Sequence, residues 1–279
     1  MSVVLITGCS SGFGLAAAVA FAQEGETVVA TMRNPDKAGP LRAAAEAAGV
    51  EIEVAQLDVT DAPSREQVVA ATLARHSQID ILVNNAGIYE AGAAEELGEA
   101  SLRRHFDTNV FAAFAMMVGV LPGMRERKSG RIVNISSVVS LFAPPFEASY
   151  AATKHALDAI SISMDLELQP FNVRVVQVSP GTFATGLATN ASRPPVESAY
   201  GTAPADWYKI WEGMLASNPD YSAVTAAIVE AASAADPLPR YIVPGSFTTD
   251  AIVALAETKN ALDLSMRGQG VAGGTKPGA

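Results

Sequence analysis

The sequence predicts a doubly wound α/β fold, in which one parallel sheet of about seven strands carries helices on both faces. Three observations carry the prediction. Short β-branched runs recur along the chain, each is followed by an Ala-rich stretch with helical spacing, and no internal repeat or Pro/Gly/Ser linker divides the 279 residues. Near-continuous apolar strands separated by helices suit a sheet covered on both sides, because parallel strands need crossover connections that lie over its faces. Hydrophobic residues make up 49% of the chain and charged residues 17%, far from the composition of a disordered segment. The length allows one large α/β domain or two smaller ones, and the lack of a repeat or dividing linker points to one, over residues 1–267.

The strands are read, in order, at Val3 to Thr7, Thr27 to Met32, Glu51 to Leu57, Ile79 to Val83, Gly130 to Ile135, Val173 to Val178 and Arg240 to Val243. The first follows Met1 almost directly, with no basic segment or long apolar segment before it, so no secretory signal is read. The single cysteine, Cys9, forms no internal disulfide, which fits a reducing compartment, and a cytoplasmic location is expected. The most apolar uncharged stretch, Thr108 to Met124, is interrupted by Asn109, Gly119 and Pro122. It falls just short of the ~18 residues of a membrane span and reads as a buried core helix, so no membrane partner is expected. Residues 182–222 break the alternation with Pro194, Pro195, Pro204, Pro219 and both tryptophans, Trp207 and Trp211. They read as a large insertion over the body, since loops of that length are functional or disordered. Residues 268–279 are Gly-rich without an apolar period and read as a flexible tail. A net charge of −10 and a pI near 4.8 repel a phosphate backbone, so nucleic acid is not expected as a partner.

Directly after the first strand comes Thr7-Gly8-Cys9-Ser10-Ser11-Gly12-Phe13-Gly14, then the apolar helix Leu15 to Ala22. Glycines let backbone approach a pyrophosphate, and a helix start offers it unpaired N–H groups and a positive dipole end. An ordinary strand-to-helix turn is the bland alternative, and the spacing is G-x-x-x-G-x-G rather than the commoner G-x-G-x-x-G. Further on, Ser149-Tyr150-Ala151-Ala152-Thr153-Lys154 opens another Ala-rich helix, and a separation of four puts Tyr150 and Lys154 on one face. An ammonium beside a phenol favours the phenolate and is expected to lower its pKa, so the pair could move a proton. Upstream, the run Arg131 to Ile135 ends in Ser136-Ser137, which sets a hydroxyl at the carboxyl end of a strand, where doubly wound folds bind ligands. Ser136 is read as a buried strand-end hydroxyl bonded to backbone. His76, His105 and His155 lack companions at metal-ligand spacing and are read as surface or packing residues, and Cys9 as a small buried one.

Together these motifs resemble the short-chain dehydrogenase/reductase family over roughly residues 1–185, with additional fit near 225–245. The resemblance implies a Rossmann-type dinucleotide fold, with Thr7, Gly8, Gly12 and Gly14 matching the glycine motif and Ser10, Ser11 and Phe13 beside them at the cofactor. Asn84-Asn85-Ala86-Gly87 matches the motif after the fourth strand. Asp58, followed by Val59, matches the acidic residue at the adenine, and Pro180-Gly181 precedes Thr182, placed for the nicotinamide carboxamide. Asn109, Ser137, Tyr150 and Lys154 match the catalytic set. Tyr150 is then the general acid or base, Ser137 holds the carbonyl oxygen, and Asn109 supports a water-linked proton path. Lys154 serves both the phenol and the nicotinamide ribose.

NAD-preferring relatives carry an Asp at the end of the second strand; here that position is Met32, followed by Arg33, whose guanidinium suits a phosphate. NADP(H) is therefore the preferred cofactor, with NAD(H) the second candidate. Phe183, Leu187, Trp207 and Trp211 on the insertion and Leu141 and Phe142 in the stretch 138–146 are read as substrate walls, for an apolar or aromatic ketone, aldehyde or alcohol. Two readings of the Trp207/Trp211 face stand side by side: a lid over the substrate, or a face that fastens the insertion to the body. The glycine turn and the Ala30-Thr31-Met32-Arg33 strand end look most like the hydroxysteroid and retinol branch. The helices 101–120 and 150–168 resemble those that pair across a two-fold axis in the family, implying a homodimer or homotetramer. The alternatives are a non-redox isomerase or lyase, and a non-catalytic NAD(P)-sensing or scaffold protein. Relatives of that last kind typically lose the tyrosine or lysine, and both are present here.

Overall fold

The fold is that of a computed structural model describing residues 1–189, 191–194, 197–245 and 248–268. Its seven strands are β1 (Val3–Ile6), β2 (Thr27–Met32), β3 (Glu53–Gln56), β4 (Ile81–Asn84), β5 (Gly130–Ile135), β6 (Val173–Pro180) and β7 (Arg240–Val243). All pair in parallel, in the order β3-β2-β1-β4-β5-β6-β7. The order reverses between β1 and β4, which opens a crevice at their carboxyl ends. The strands fall on the seven predicted runs and differ only at their ends. β6 runs on to Pro180 because Gln177 to Pro180 pair with Arg240 to Val243. β4 begins at Ile81, just after Asp80, whose carboxylate accepts the Val3 N–H at 2.8 Å.

Helices α1 (Gly12–Gln23), α2 (Gly39–Ala48) and, later in the chain, α9 (Ser222–Ser233) cover one face, burying Phe21, Leu41, Val224 and Ile228 with Val4, Ile6 and Val28. The other face carries α3 (Ala62–His76), α5 (Ala112–Arg127) and α6 (Ala148–Glu167), whose Val68, Met116, Met117 and Met164 pack on Leu5, Leu82 and Val175. Helix α4 (Ala94–Phe106) joins α5 through one π-helical turn, Asp107–Phe111. The stretch expected to be a buried core helix is buried on one face only. Val110, Met116, Met117, Val120 and Met124 are covered, while Phe111, Phe114 and Val118 are exposed. By length and composition alone, residues 94–127 reach what a membrane span needs.

The insertion folds as α7 (Gly186–Thr189) and α8 (Ala203–Ser217), and α10 (Asp250–Gly268) lies against β7 and α6. Buried ion pairs hold that last layer. Arg240, fully buried, pairs with Asp158 at 2.7 Å, and Lys259 reaches the same carboxylate at 3.2 Å. Arg174 and Arg267 converge on Asp165 at 3.0 and 2.9 Å. Removing one partner of such a pair leaves an uncompensated buried charge, a loss of ~3–5 kcal/mol. Pro195 and the tail from residue 269 onward lie outside the described residues.

Candidate active site

The carboxyl ends of β1 and β4 are tied together by Thr7 and Asn85. Thr7 Oγ1 accepts the backbone N–H groups of Asn85 and Ala86, both at 3.0 Å, and the Asn85 amide donates to the carbonyls of Thr7 at 2.8 Å and Gly8 at 2.9 Å. Gly8 stands at φ +75°, and a Cβ there would come within 2.9 Å of the Ala86 Cα, so the approach demands glycine. Ser10, Ser11, Gly12 and Phe13 line the cleft beyond it, with Ala86 and Gly87 opposite, whereas Gly14 packs behind the turn against the Asn85 amide. Ser11 caps α1 without a side-chain hydrogen bond, leaving the first-turn N–H groups to a ligand. Cys9 is fully buried and burial pushes its thiol up to about 12, which matches its reading as a packing residue.

Met32, Arg33, Asp58 and Val59 form the rim. Asp58 accepts both the hydroxyl and the N–H of Thr60, at 2.7 and 2.9 Å. The hydroxyl bond is the main reason its carboxyl sits below the usual range, and the exposed Arg33 guanidinium adds a smaller pull in the same direction. At the opposite side Pro180, Gly181 and Thr182 line the cleft, and the Thr182 carbonyl accepts the Asn218 amide at 3.0 Å.

Tyr150 and Lys154 share one face of α6 and both reach the cleft. The Lys154 ammonium lies 5.5 Å from the Tyr150 ring centre and donates to the Ile135 carbonyl, at the end of β5, at 2.8 Å. Ser137, just beyond β5, lies in hydrogen-bond reach of the Tyr150 hydroxyl and accepts the Val139 N–H at 3.3 Å. The expected direction of the phenol's pKa is reversed. Burial pushes Tyr150 up, the Glu147 carboxylate adds to it, and the Ser137 hydrogen bond offsets them only in part. Burial also pushes Lys154 down to about 8. Ser136 also departs from its reading: its hydroxyl has no hydrogen-bond partner among the described residues and lines the cleft.

Asn109 sits in the π-helical turn behind the cleft, not on its wall. Its Oδ1 accepts the Ile88 N–H at 2.8 Å, and its amide donates to the Ile88 carbonyl at 3.0 Å and to Thr153 Oγ1 at 3.2 Å. It fixes the loop after β4 to α6. A π turn of this kind is frequent at functional sites.

Leu187, Trp207 and Trp211 line the end of the cleft away from the glycine turn, whereas Phe183, read from the sequence as a substrate wall, meets Phe13 edge-on at 6.2 Å beside that turn. Leu141 and Phe142 do not line the cleft; the wall on that side is made by Val139, Pro144 and Glu147, and Phe142 packs behind it against the cluster of Tyr89, Val139, Tyr150 and Trp211. Tyr89, which the sequence reading missed, stacks on Trp211 with ring centres 4.4 Å apart and meets Tyr150 edge-on at 5.1 Å. Glu147 was missed as well: it is buried and accepts the Trp207 indole N–H at 3.0 Å. A lone acid in an apolar stretch, three residues before Tyr150 and so on its helical face, was the available signal. The Trp207/Trp211 face thus both fastens α8 and walls the cleft. The insertion crosses the glycine turn at Gly186, where a Cβ would collide with Ser11 Oγ.

The short chain dehydrogenase family matches residues 2–195 of the chain. It is 38% identical over 205 residues to the uncharacterized oxidoreductase YusZ of Bacillus subtilis, covering 71% of this chain and 72% of that one. It is 44% identical over 186 residues to human retinol dehydrogenase 8, covering 65% of this chain and 59% of that longer relative. Among solved structures, a short-chain dehydrogenase from Streptomyces avermitilis superimposes with a TM-score of 0.79 at 34% identity over 95% of each chain. An actinorhodin polyketide ketoreductase variant with NADPH superimposes with a TM-score of 0.75 at 29% identity, over 88% of this chain and 96% of that one. A seven-stranded parallel sheet with its switch point at β1 and β4, and a match across more than half of the chain, place the protein in the short-chain dehydrogenase/reductase family of NAD(P)-dependent oxidoreductases.

Proposed function

We propose that the chain interconverts a ketone or aldehyde and the corresponding alcohol by hydride exchange with NADP(H), NAD(H) being the weaker cofactor. The observation that carries this is the convergence of Tyr150, Ser137 and Lys154 on one cleft whose other end is the glycine turn. The residues fit a dinucleotide: Gly8 leaves room where any side chain would strike Ala86, and the first turn of α1 presents uncapped N–H groups. Gly8, Ser10, Ser11, Gly12 and Phe13 would hold the pyrophosphate side, with Gly14 supporting the turn from behind. Asp58 and Val59 would flank the adenine. Asn85, Ala86 and Gly87 would line the nicotinamide ribose, and Pro180, Gly181 and Thr182 the carboxamide. Arg33 would pair with a 2′-phosphate, and no acid at Met32 opposes it.

When bound, the nicotinamide supplies or accepts the hydride. Tyr150 donates its phenolic proton to the carbonyl oxygen as charge develops there, and Ser137 donates a hydrogen bond to the same oxygen. Lys154, once drawn from the Ile135 carbonyl toward the ribose hydroxyls, brings its positive charge beside the phenol and lowers its pKa. Asn109 holds the loop and helix that set Tyr150 in register. Residues 1–267 act as one domain, with 182–222 closing over an apolar or aromatic substrate. The exposed Phe111, Phe114 and Val118 support a homodimer or homotetramer through α4 and α5; light scattering across micromolar concentrations checks this, and a monomer throughout contradicts it. The catalytic reading is tested with a panel of ketones and NADPH. Loss of nicotinamide absorbance matched by alcohol formation is expected, and products formed without cofactor consumption would overturn it.

A further inference from the structure

Among the described residues, the end of the cleft away from the glycine turn holds one acid, Glu147, which tunes the Tyr150 phenol but is given no part in handling the substrate by the reading above. It is 4% exposed, lines the cleft beside Tyr150, and has one carboxylate oxygen engaged by the Trp207 indole. Burial raises its pKa, the dipoles of Trp207 and Tyr89 offset this in part, and no cation contributes. Tyr89, 3% exposed, lines the same stretch. Its hydroxyl makes no hydrogen bond of good geometry, although the Glu147 carboxyl is close enough, after burial, to push the phenol up. Around these groups stand the stacked rings of Tyr89 and Trp211, with Tyr208 5.4 Å from Trp211. A buried carboxylate without a counter-charge is costly, and both it and the aromatic faces attract a cation.

We propose that Glu147 determines substrate specificity by taking the ammonium group of an amine-bearing ketone or alcohol, the aromatic rings flanking the cation. The inference rests on the oxidoreductase reading above. Trp207 fixes the carboxylate from the lid side, so cation binding and lid position share one group. The same charge disfavours substrates that carry a carboxylate.

The test measures kcat/KM with NADPH, near neutral pH, for three aryl methyl ketones matched except for a para methyl, aminomethyl or carboxylate group. The wild type should favour the aminomethyl ketone over the methyl one by at least about tenfold, the scale of one hydrogen bond to a charged group, and should handle the carboxylate worst. Glu147→Gln still offers an oxygen to Trp207 and should bring the aminomethyl-to-methyl ratio near one. Because Trp207 and Trp211 both line the cleft, indole fluorescence gives a turnover-free measure of the same preference. Benzylammonium should bind the wild type more tightly than benzyl alcohol, and the preference should vanish in the variant. A ratio near one in the wild type, a ratio that survives Glu147→Gln, or equal affinity for the two benzyl probes would overturn the proposal. Turnover of none of the three ketones would overturn the oxidoreductase reading instead, while the fluorescence titration still decides the charge preference.

Discussion

The two ends of the cleft are built from different materials. At the glycine turn the walls are main chain: Gly8 against Ala86, and Thr7 and Asn85 bonding carbonyls and N–H groups of the two crossing segments. At the substrate end the walls are side chains, the rings of Tyr89, Trp207 and Trp211 around a buried carboxylate. Backbone presents the same groups whatever the sequence, which suits the first end to the dinucleotide proposed for it. Side chains vary, which suits the second end to the selectivity proposed for it. The contrast also explains the state of Tyr150. It stands where the two ends meet; burial first and the Glu147 carboxylate second raise its pKa, while the Lys154 ammonium beside its ring donates to the Ile135 carbonyl.

This division breaks most visibly at Tyr150. Tyr150→Phe removes the titrating proton and little volume, so turnover should fall by ~10²–10⁴-fold while the dissociation constant for NADPH stays within about twofold of wild type. Steady-state kinetics beside a fluorescence titration separates the two; a variant keeping more than about a tenth of kcat would contradict the role. Next in size is Arg33→Ala. Loss of one charge-assisted contact should weaken NADPH by about tenfold or more and leave NADH nearly unchanged. Equal losses for both cofactors, or a wild type that prefers NADH, would place the 2′-phosphate elsewhere. The smallest expected effect sharpens the boundary between the two ends. The groups facing the Tyr150 phenol are Ser137, Lys154, Tyr89 and Glu147, and burial followed by the Glu147 charge holds its pKa high. Glu147→Gln removes an anion that favours the protonated phenol, so the folded-state pKa of Tyr150 drops. Alcohol oxidation, which needs the phenolate, should then reach its plateau at lower pH than in the wild type. An unmoved or upward-moved oxidation limb would show that the two groups do not communicate.

The cofactor end was legible because its signals are local: a glycine spacing after a β-branched run, and a Tyr and Lys four residues apart on one helix. Strand ends were less so, since β6 is extended by pairing with β7, which is not a local property. The substrate end was half legible. Trp207 and Trp211 announce a shared face by their spacing, but Tyr89 and Glu147 join them only through the fold, from the loop after β4 and the residue before α6. Leu141 and Phe142 were chosen for apolarity, but neither lines the cleft, and Phe142 packs behind its aromatic wall. The upward push on the phenol's pKa was hidden for a related reason: a sequence displays the neighbouring ammonium but not the burial around the phenol.

The central claim, that hydride passes between the dinucleotide held at one end and a carbonyl held at the other, is tested most directly by isotope transfer. NADPH deuterated at nicotinamide C4 is incubated with the enzyme and the preferred ketone, and the alcohol product is examined by mass spectrometry and NMR. The account predicts one deuterium on the carbinol carbon for each cofactor oxidised when the transferred face carries the label, and none when the opposite face does. Product without label from either face, or product formed while the cofactor stays reduced, would contradict it.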